Sequence, residues 1–350
     1  MLITAVQHVP MKTSDFDYHL PPERIAQTPV EPRHNSRLLV LERQKSLVTH
    51  SFFWEVGDFL RPGDILVLNQ TRVIPARLYA RKQPGGGKVE LLLLHSKGKQ
   101  DWEVLVGGKG LREGRKLEVI HGPAAEVTTV LEGSRRIVKF AEPIEPFLDL
   151  AGNVPLPPYI HTPLKNPERY QTVYSKVPGS AAAPTAGLHF TAELISRLKS
   201  QGIRFTRLTL HVGLDTFAPV NEDNPHEHKI HTEWCELRPE AAEAINDASR
   251  GGGRIVAVGT TSVRTLESAA LHAGPGFRVS PFSGPTDLYI LPGYKFKAVD
   301  ALITNFHLPR STLLMLVSAF AGKELILDTY QKAVNDGYRF YSFGDAMLIK

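Results

Sequence analysis

The strongest constraint on the fold is a change of texture partway along the chain. Between about Val67 and Leu150 the sequence consists of short apolar runs: Lys88 to His95, Trp102 to Val106, Lys116 to Ile120, Glu126 to Leu131 and Arg136 to Phe140. Gly-rich turns separate them and no helical period interrupts them. Such a stretch buries its apolar side chains by curling into a small antiparallel barrel or sandwich. Upstream, Leu20-Pro21-Pro22-Glu23 suits the first turn of a short helix, and Ser36 to Leu41 and Asp64 to Leu68 read as buried strands. Downstream, Gly152 to Gly179 is crowded with proline and should run extended.

From Thr191 onward helices and strands alternate. Helices are predicted over Ala192 to Ser200, Pro239 to Ser249, Val263 to Leu271 and Ser311 to Ala321. Strands are predicted over Arg204 to Val212, Arg254 to Val258, Thr286 to Ile290 and Ala301 to Asn305. This pattern predicts an α/β class: a layered α/β domain with a mostly parallel sheet plus an inserted small all-β barrel domain. The expected division is 12–66 with 152–350 for the α/β domain, 67–151 for the barrel, and 1–11 as an N-terminal extension, Met11 being an alternative start.

With 350 residues, 42% hydrophobic and 22% charged, the chain has room for about two folded domains. No apolar run reaches the roughly 18 residues that cross a bilayer; Leu313 to Ala321, interrupted by Ser318, reads as a buried helix. The first ten residues have no basic start and no cleavage site, so they make a poor signal peptide. One cysteine, Cys235, excludes an internal disulfide and a multi-cysteine zinc site and fits a reducing cytoplasm. A net charge of +5 mildly favours a polyanionic partner.

Three apolar strands run directly into polar loops: Leu208 to Leu214, Ile255 to Ser262 and Leu302 to Arg310. In open α/β sheets such loops lie at the carboxyl edge, where ligands bind. Gly259-Thr260-Thr261-Ser262 precedes a helix whose first turns include Arg264, so backbone N–H groups, hydroxyls and a guanidinium are candidates to face one anion; simple helix capping is the alternative. His307, beside Asn305 and Arg310, and His211, followed by Gly213, Asp215 and Thr216, are loop histidines suited to proton transfer, or to a structural role. His226, His228 and His231 invite a metal reading, but the metalloprotease spacing fails at Ile230 and no cysteine partners them, so no metal is expected. Gly179 to Phe190 is rich in small residues, which allows close approach to a ligand or tight packing. Arg72 and Arg77, where the chain leaves the first domain, are placed to hold phosphates or to stand solvated.

Several long strings carry a resemblance: IAQTPVEPRHNSRLLVL (Ile25 to Leu41), NQTRVIPARL (Asn69 to Leu78), AAAPTAGLHF (Ala181 to Phe190), TLHVGLDTF (Thr209 to Phe217), His228 to Glu233, VGTTSVRTLES (Val258 to Ser268), TDLYILPGYKF (Thr286 to Phe296), ITNFHLPRSTLLMLVSAFAG (Ile303 to Gly322) and YRFYSFGDAML (Tyr338 to Leu348). In this order they resemble the S-adenosylmethionine:tRNA ribosyltransferase-isomerase family of queuosine biosynthesis. The resemblance implies transfer and isomerisation of the ribosyl group of S-adenosylmethionine onto 7-aminomethyl-7-deazaguanine at the tRNA wobble position. Epoxyqueuosine-tRNA is the product, with adenine and methionine released.

By position, the resemblance implies a donor pocket lined by Gly259, Thr260, Thr261, Arg264, Asn305, Thr185, Gly187 and His189. It makes His211 and His307 the candidate bases; Arg72, Arg77 and the barrel are assigned to a tRNA anticodon stem-loop on position and charge alone. No cofactor beyond S-adenosylmethionine and no membrane partner is expected, and a cytoplasmic monomer is the expected working form. Asp215, Ala218 and Pro225 depart from the family's pattern within the His211 to His231 segment. The competing expectations are an S-adenosylmethionine-dependent tRNA methyltransferase, for which the early Gly-rich loop is missing, and a non-catalytic RNA-binding barrel.

Overall fold

The computed structural model describes residues 11–213 and 220–350, and the chain divides into two compact units. Residues 11–69, 185–208 and 220–350 form the first; residues 70–184 and 209–213 form the second. Strands β1 (Arg37–Glu42), β2 (Leu47–Phe52) and β3 (Ile65–Asn69) open the first unit. The second holds β4 (Thr71–Val73), β5 (Arg77–Gln83), β6 (Lys88–Ser96), β7 (Asp101–Gly107), β8 (Lys116–Val119), β9 (Ala125–Val130), β10 (Arg135–Phe140), α1 (Leu148–Ala151), β11 (Gly152–Asn153) and β12 (Val177–Ser180). The chain then returns through α2 (Ala192–Ser200), β13 (Arg204–Leu210), β14 (Glu233–Leu237), α3 (Pro239–Arg250), β15 (Ile255–Val258), α4 (Thr260–Leu271), β16 (Phe282–Thr286), β17 (Ala301–Asn305), α5 (Thr312–Ala321), α6 (Lys323–Asn335) and β18 (Ala346–Ile349).

The first unit is built on a nine-stranded sheet in the order β16-β14-β13-β3-β15-β17-β18-β1-β2. β3, β15 and β17 are buried along their whole length. Strands apolar on both faces suit the centre of a parallel sheet, and β13, β3, β15 and β17 do pair in parallel. The sheet is parallel through this centre, as expected, and mixed at its flanks. β18 pairs antiparallel with β17 but parallel with β1, while β2 and β16 close the two edges in antiparallel pairs. Helices sit where caps permit: Thr191 accepts from the Leu194 N–H to start α2, Ser311 accepts from Leu314 to start α5, and Pro239 opens α3. α4 is buried from Thr260 to Ala270 and is therefore a core helix.

α4 starts three residues before the expected Val263, because Gly259 supplies the turn. The strand expected at Thr286 to Ile290 lies instead at Phe282–Thr286. The strand ends at Thr286, paired with Glu233 of β14, and beyond it the Leu288 carbonyl accepts from the Arg264 guanidinium. Strands β14 and β18 and helix α6 were not anticipated from the pattern.

In the second unit β5, β6, β7, β10, β9 and β8 form a closed antiparallel barrel, with β5 pairing to β8 and β11 appended to β5. Alternate residues such as Leu78, Ala80, Leu91, Leu93, Val104, Val127, Val138 and Phe140 fill its core, each large one contributing roughly 1.5–3 kcal/mol of burial. This unit runs on beyond the expected end at residue 151. β12 pairs in parallel with β4, and the Gln171 amide both accepts from the Val73 N–H at 3.0 Å and donates to the Val73 carbonyl at 2.8 Å. The proline-rich return is thus tied to the barrel unit. Among the described residues no helix is long and apolar enough to cross a membrane.

Candidate active site

The carboxyl ends of three parallel strands meet in the first unit. Asn69, the buried last residue of β3, donates from Nδ2 to Thr261 Oγ1 at 3.3 Å. Gly259, directly after β15, has φ 89° and ψ 154°, a conformation nearly reserved for glycine. Its N–H donates to the Ile303 carbonyl of β17 at 2.8 Å. A Cβ at Gly259 would stand 3.6 Å from both Ala186 Cβ and Thr261 Oγ1, so the 185–189 segment packs directly over this turn. The positive end of the α4 macrodipole therefore lies at the sheet's carboxyl edge.

Asn305 ends β17 and joins this edge to the small-residue segment. Thr185 Oγ1 donates to Asn305 Oδ1 at 2.9 Å, and Asn305 Nδ2 donates to His189 Nε2 at 3.2 Å. With Nε2 accepting, Nδ1 carries the proton and donates to Ser36 Oγ at 2.7 Å. Every member has a defined role, and His189 is held neutral: burial foremost, then Arg339 and Arg33, push its pKa down to about 3. The structure thus brings Thr185, His189, Gly259, Thr261 and Asn305 together, with Gly187 and Thr260 buried in the same two segments.

His307 is buried, and burial pushes its pKa down to about 3 as well. Its Nε2 meets Thr304 Oγ1 at 2.9 Å, its N–H donates to the Tyr330 hydroxyl at 3.2 Å, and its carbonyl accepts from the Tyr18 hydroxyl. Its surroundings are those of a side chain that orders its own loop.

Arg264 corrects the expectation of a guanidinium turned toward an anion. It is 4% exposed and its nitrogens serve internal partners: the Glu233 carboxylate, the Leu288 carbonyl at 3.1 Å and the Thr286 carbonyl at 3.3 Å. It lines a narrow cleft with His228, His231, Tyr289 and Leu316. In the same region His228 Nδ1 lies 2.9 Å from Glu222 Oε2 and its ring packs edge-on against Tyr289. Cys235, on β14, is buried, and burial pushes its thiol up to about 11.

The remaining expected residues belong to the barrel unit. His211 is half-buried; its Nδ1 lies 2.8 Å from Thr71 Oγ1, and its ring covers Gly179, where a Cβ would stand only 2.8 Å from the ring. Arg72 pairs with Glu168 and donates to Ser175 Oγ at 3.1 Å; Arg77 pairs with Glu90 at 2.9 Å. Asp215, Thr216 and Ala218 lie outside the described residues. Nothing in the sequence marks Ser36, Asn69, Thr304 and Glu233 as partners of these residues. Ser36 is 153 positions from His189, and no local pattern marks such a partner.

Polar residues gathered at the carboxyl ends of parallel strands, beside the N-terminus of a buried helix, define an α/β protein with a candidate ligand site at the sheet edge. A family model described as queuosine biosynthesis protein matches residues 13–349. The chain is 54% identical over 345 residues to the S-adenosylmethionine:tRNA ribosyltransferase-isomerase of Symbiobacterium thermophilum, and 55% identical over 346 residues to that of Carboxydothermus hydrogenoformans. In both cases 97% of this chain and 100% of the relative are covered. The solved S-adenosylmethionine tRNA ribosyltransferase of Thermotoga maritima is 41% identical, with a TM-score of 0.56 over 96% of this chain and 100% of that one. The chain belongs to the queuosine biosynthesis protein family.

Proposed function

We propose that this protein is an S-adenosylmethionine:tRNA ribosyltransferase-isomerase. It transfers and isomerises the ribosyl moiety of S-adenosylmethionine onto 7-aminomethyl-7-deazaguanine at the tRNA wobble position, giving epoxyqueuosine-tRNA and releasing adenine and methionine. The observation that carries this reading is identity above one half, over essentially the whole chain, to relatives bearing that name. The chemistry asks for a base acting on hydrogens that the sulfonium acidifies, and for donors toward the ribose and the departing adenine.

Thr185, Gly187, His189, Gly259, Thr260, Thr261 and Asn305 form the wall of the donor pocket in this reading. In this reading Arg264, whose guanidinium is taken by the Glu233 carboxylate and the Thr286 and Leu288 carbonyls, braces the first turns of α4 and does not contact the donor. Of the two expected bases we favour His211, which is half-buried, over His307, which is fully enclosed and bonded to Thr304. The reading includes a cytoplasmic monomer that needs no metal; light scattering and activity in the presence of a chelator test these two points.

The decisive experiment incubates the protein with S-adenosylmethionine and tRNA carrying the aminomethyl-deazaguanine, followed by mass spectrometry. Adenine and methionine with a ribosylated nucleoside are expected. S-adenosylhomocysteine would replace this reading with methyl transfer, and an unchanged mixture with a non-catalytic RNA-binding protein.

A further inference from the structure

The barrel unit carries the positive charge of the chain. Between residues 70 and 184 seventeen Lys and Arg stand against eleven Asp and Glu, a net +6, so the rest of the chain, at −1, is close to neutral. The two arginines first assigned to RNA, Arg72 and Arg77, already hold carboxylates. The outer face of β5 offers a different set. Leu78 and Ala80 point into the core, while Tyr79 and Arg81 point out and Tyr79 is 45% exposed.

Across the ladder Tyr79 faces Glu90 of β6, and Arg81 faces Lys88 of β6 on one side and Glu118 of β8 on the other. Both carboxylates have other partners: Glu90 is taken by Arg77 at 2.9 Å and Glu118 by the Gln83 amide at 2.8 Å. Among the described residues neither Arg81 nor Lys88 forms an ion pair. The basic surface continues past the hairpin tip, where Lys82 Nζ donates to the Lys109 carbonyl at 3.0 Å and draws the exposed loop of Lys109 and Arg112 to the same end. Gly85, Gly86 and Gly110 leave open space around this end of the barrel.

We infer that the Tyr79, Arg81 and Lys88 face of the barrel, continued by Lys109 and Arg112, is a docking surface for the RNA substrate. Tyr79 stacks an unpaired base and the cations neutralise the neighbouring phosphates. An exposed ring next to cations that carry no ion pair is what single-stranded and looped RNA selects, since stacking is tolerant of sequence and phosphate contacts supply affinity. The inference rests on the reading that tRNA is the substrate and names the surface that holds it.

The test uses the full chain and an unmodified tRNA transcript, with binding followed by fluorescence anisotropy between about 50 and 200 mM salt. Arg81→Glu with Lys88→Glu should weaken binding at least tenfold and flatten the dependence of log Kd on log salt by about 2. Tyr79→Ala should weaken binding about tenfold and leave that slope unchanged. With modified tRNA both changes should appear as a higher KM for tRNA, and melting temperatures should stay at the wild-type value because all three side chains stand outside the core. Lys332→Glu, at an exposed position of helix α6 in the other unit, controls for net charge. Equal weakening by Lys332→Glu, or wild-type Kd, slope and KM in the Tyr79, Arg81 and Lys88 variants, would overturn the docking surface. Failure of the wild-type protein to release adenine with modified tRNA would instead overturn the substrate reading on which it rests.

Discussion

The two units treat polar atoms in opposite ways. At the strand edge of the first, Ser36, His189 and Asn305 are buried, uncharged and satisfied by one another. On the barrel the polar groups are charged, largely exposed and only partly paired. In the first case each bond is made away from water, and losing one partner leaves the other with its full desolvation cost. In the second, solvent and salt screen each group, and function comes from many weak contacts. Buried geometry therefore suits discrimination of a small donor, and an exposed charged face suits a long polyanion.

The contrast is tested hardest at the buried ion pair. Glu233→Ala or Arg264→Ala leaves an uncompensated charge in the core and should cost about 3–5 kcal/mol in urea unfolding. Replacing both at once, Arg264→Met with Glu233→Leu, should recover much of that loss. If either single variant unfolds like the wild type and loses only turnover, Arg264 is a ligand contact after all.

Acid should separate the units next. His189 and His307 are held near pKa 3 when folded, against an ordinary 6.5. The folded protein therefore binds fewer protons than the unfolded chain between these values. The stability from keeping both rings neutral is complete above about pH 6.5 and falls as pH drops toward 3, by about 1.4 kcal/mol per pH unit for each histidine. Denaturant curves at pH 7 and pH 5 should show this loss, and His189→Gln, which stays neutral, should remove about half of it. A pH dependence identical in variant and wild type would mean that His189 is not the enclosed neutral group described.

Gly259→Ala comes third. The backbone there sits where other residues are strained, so a cost of about 1–3 kcal/mol is expected. The new methyl would meet Ala186 and Thr261 at 3.6 Å, an ordinary contact distance, so the cost is one of backbone conformation. Affinity for S-adenosylmethionine, measured by calorimetry, should fall together with melting temperature. A loss of stability with unaltered donor binding would detach this turn from the donor pocket.

What the sequence discloses follows the same division. The barrel was legible because period-2 apolar runs and glycine turns are local signals, and so were β3, β15 and β17, whose apolar runs have no other use. The Gly259 turn and Asn305 could be placed because each directly follows such a strand. Ser36, Thr304 and Glu233 could not, since their roles come from partners supplied by the fold. Arg264 misled for the same reason: its position beside the Gly259 turn suggested an anion, while Glu233, 31 positions away, occupies it. The antiparallel pairings of β18 with β17 and of β2 with β1 were not legible, because short apolar runs carry no mark of direction.

The smallest effect is the most informative about the barrel. Arg72 is paired with Glu168, the side chains being 37% and 60% exposed, and such surface pairs are worth about 0–1 kcal/mol. Arg72→Ala should therefore leave unfolding nearly unchanged and shift tRNA affinity by no more than about twofold, because to bind a phosphate Arg72 would first have to leave Glu168. Arg81→Ala, with no carboxylate to give up, should cost several-fold under the same conditions. The single comparison of these two arginines by anisotropy decides whether RNA affinity follows the presence of positive charge or its availability. If Arg72→Ala is the more damaging change, the pairing with Glu168 opens on binding, and the docking face must extend to β4.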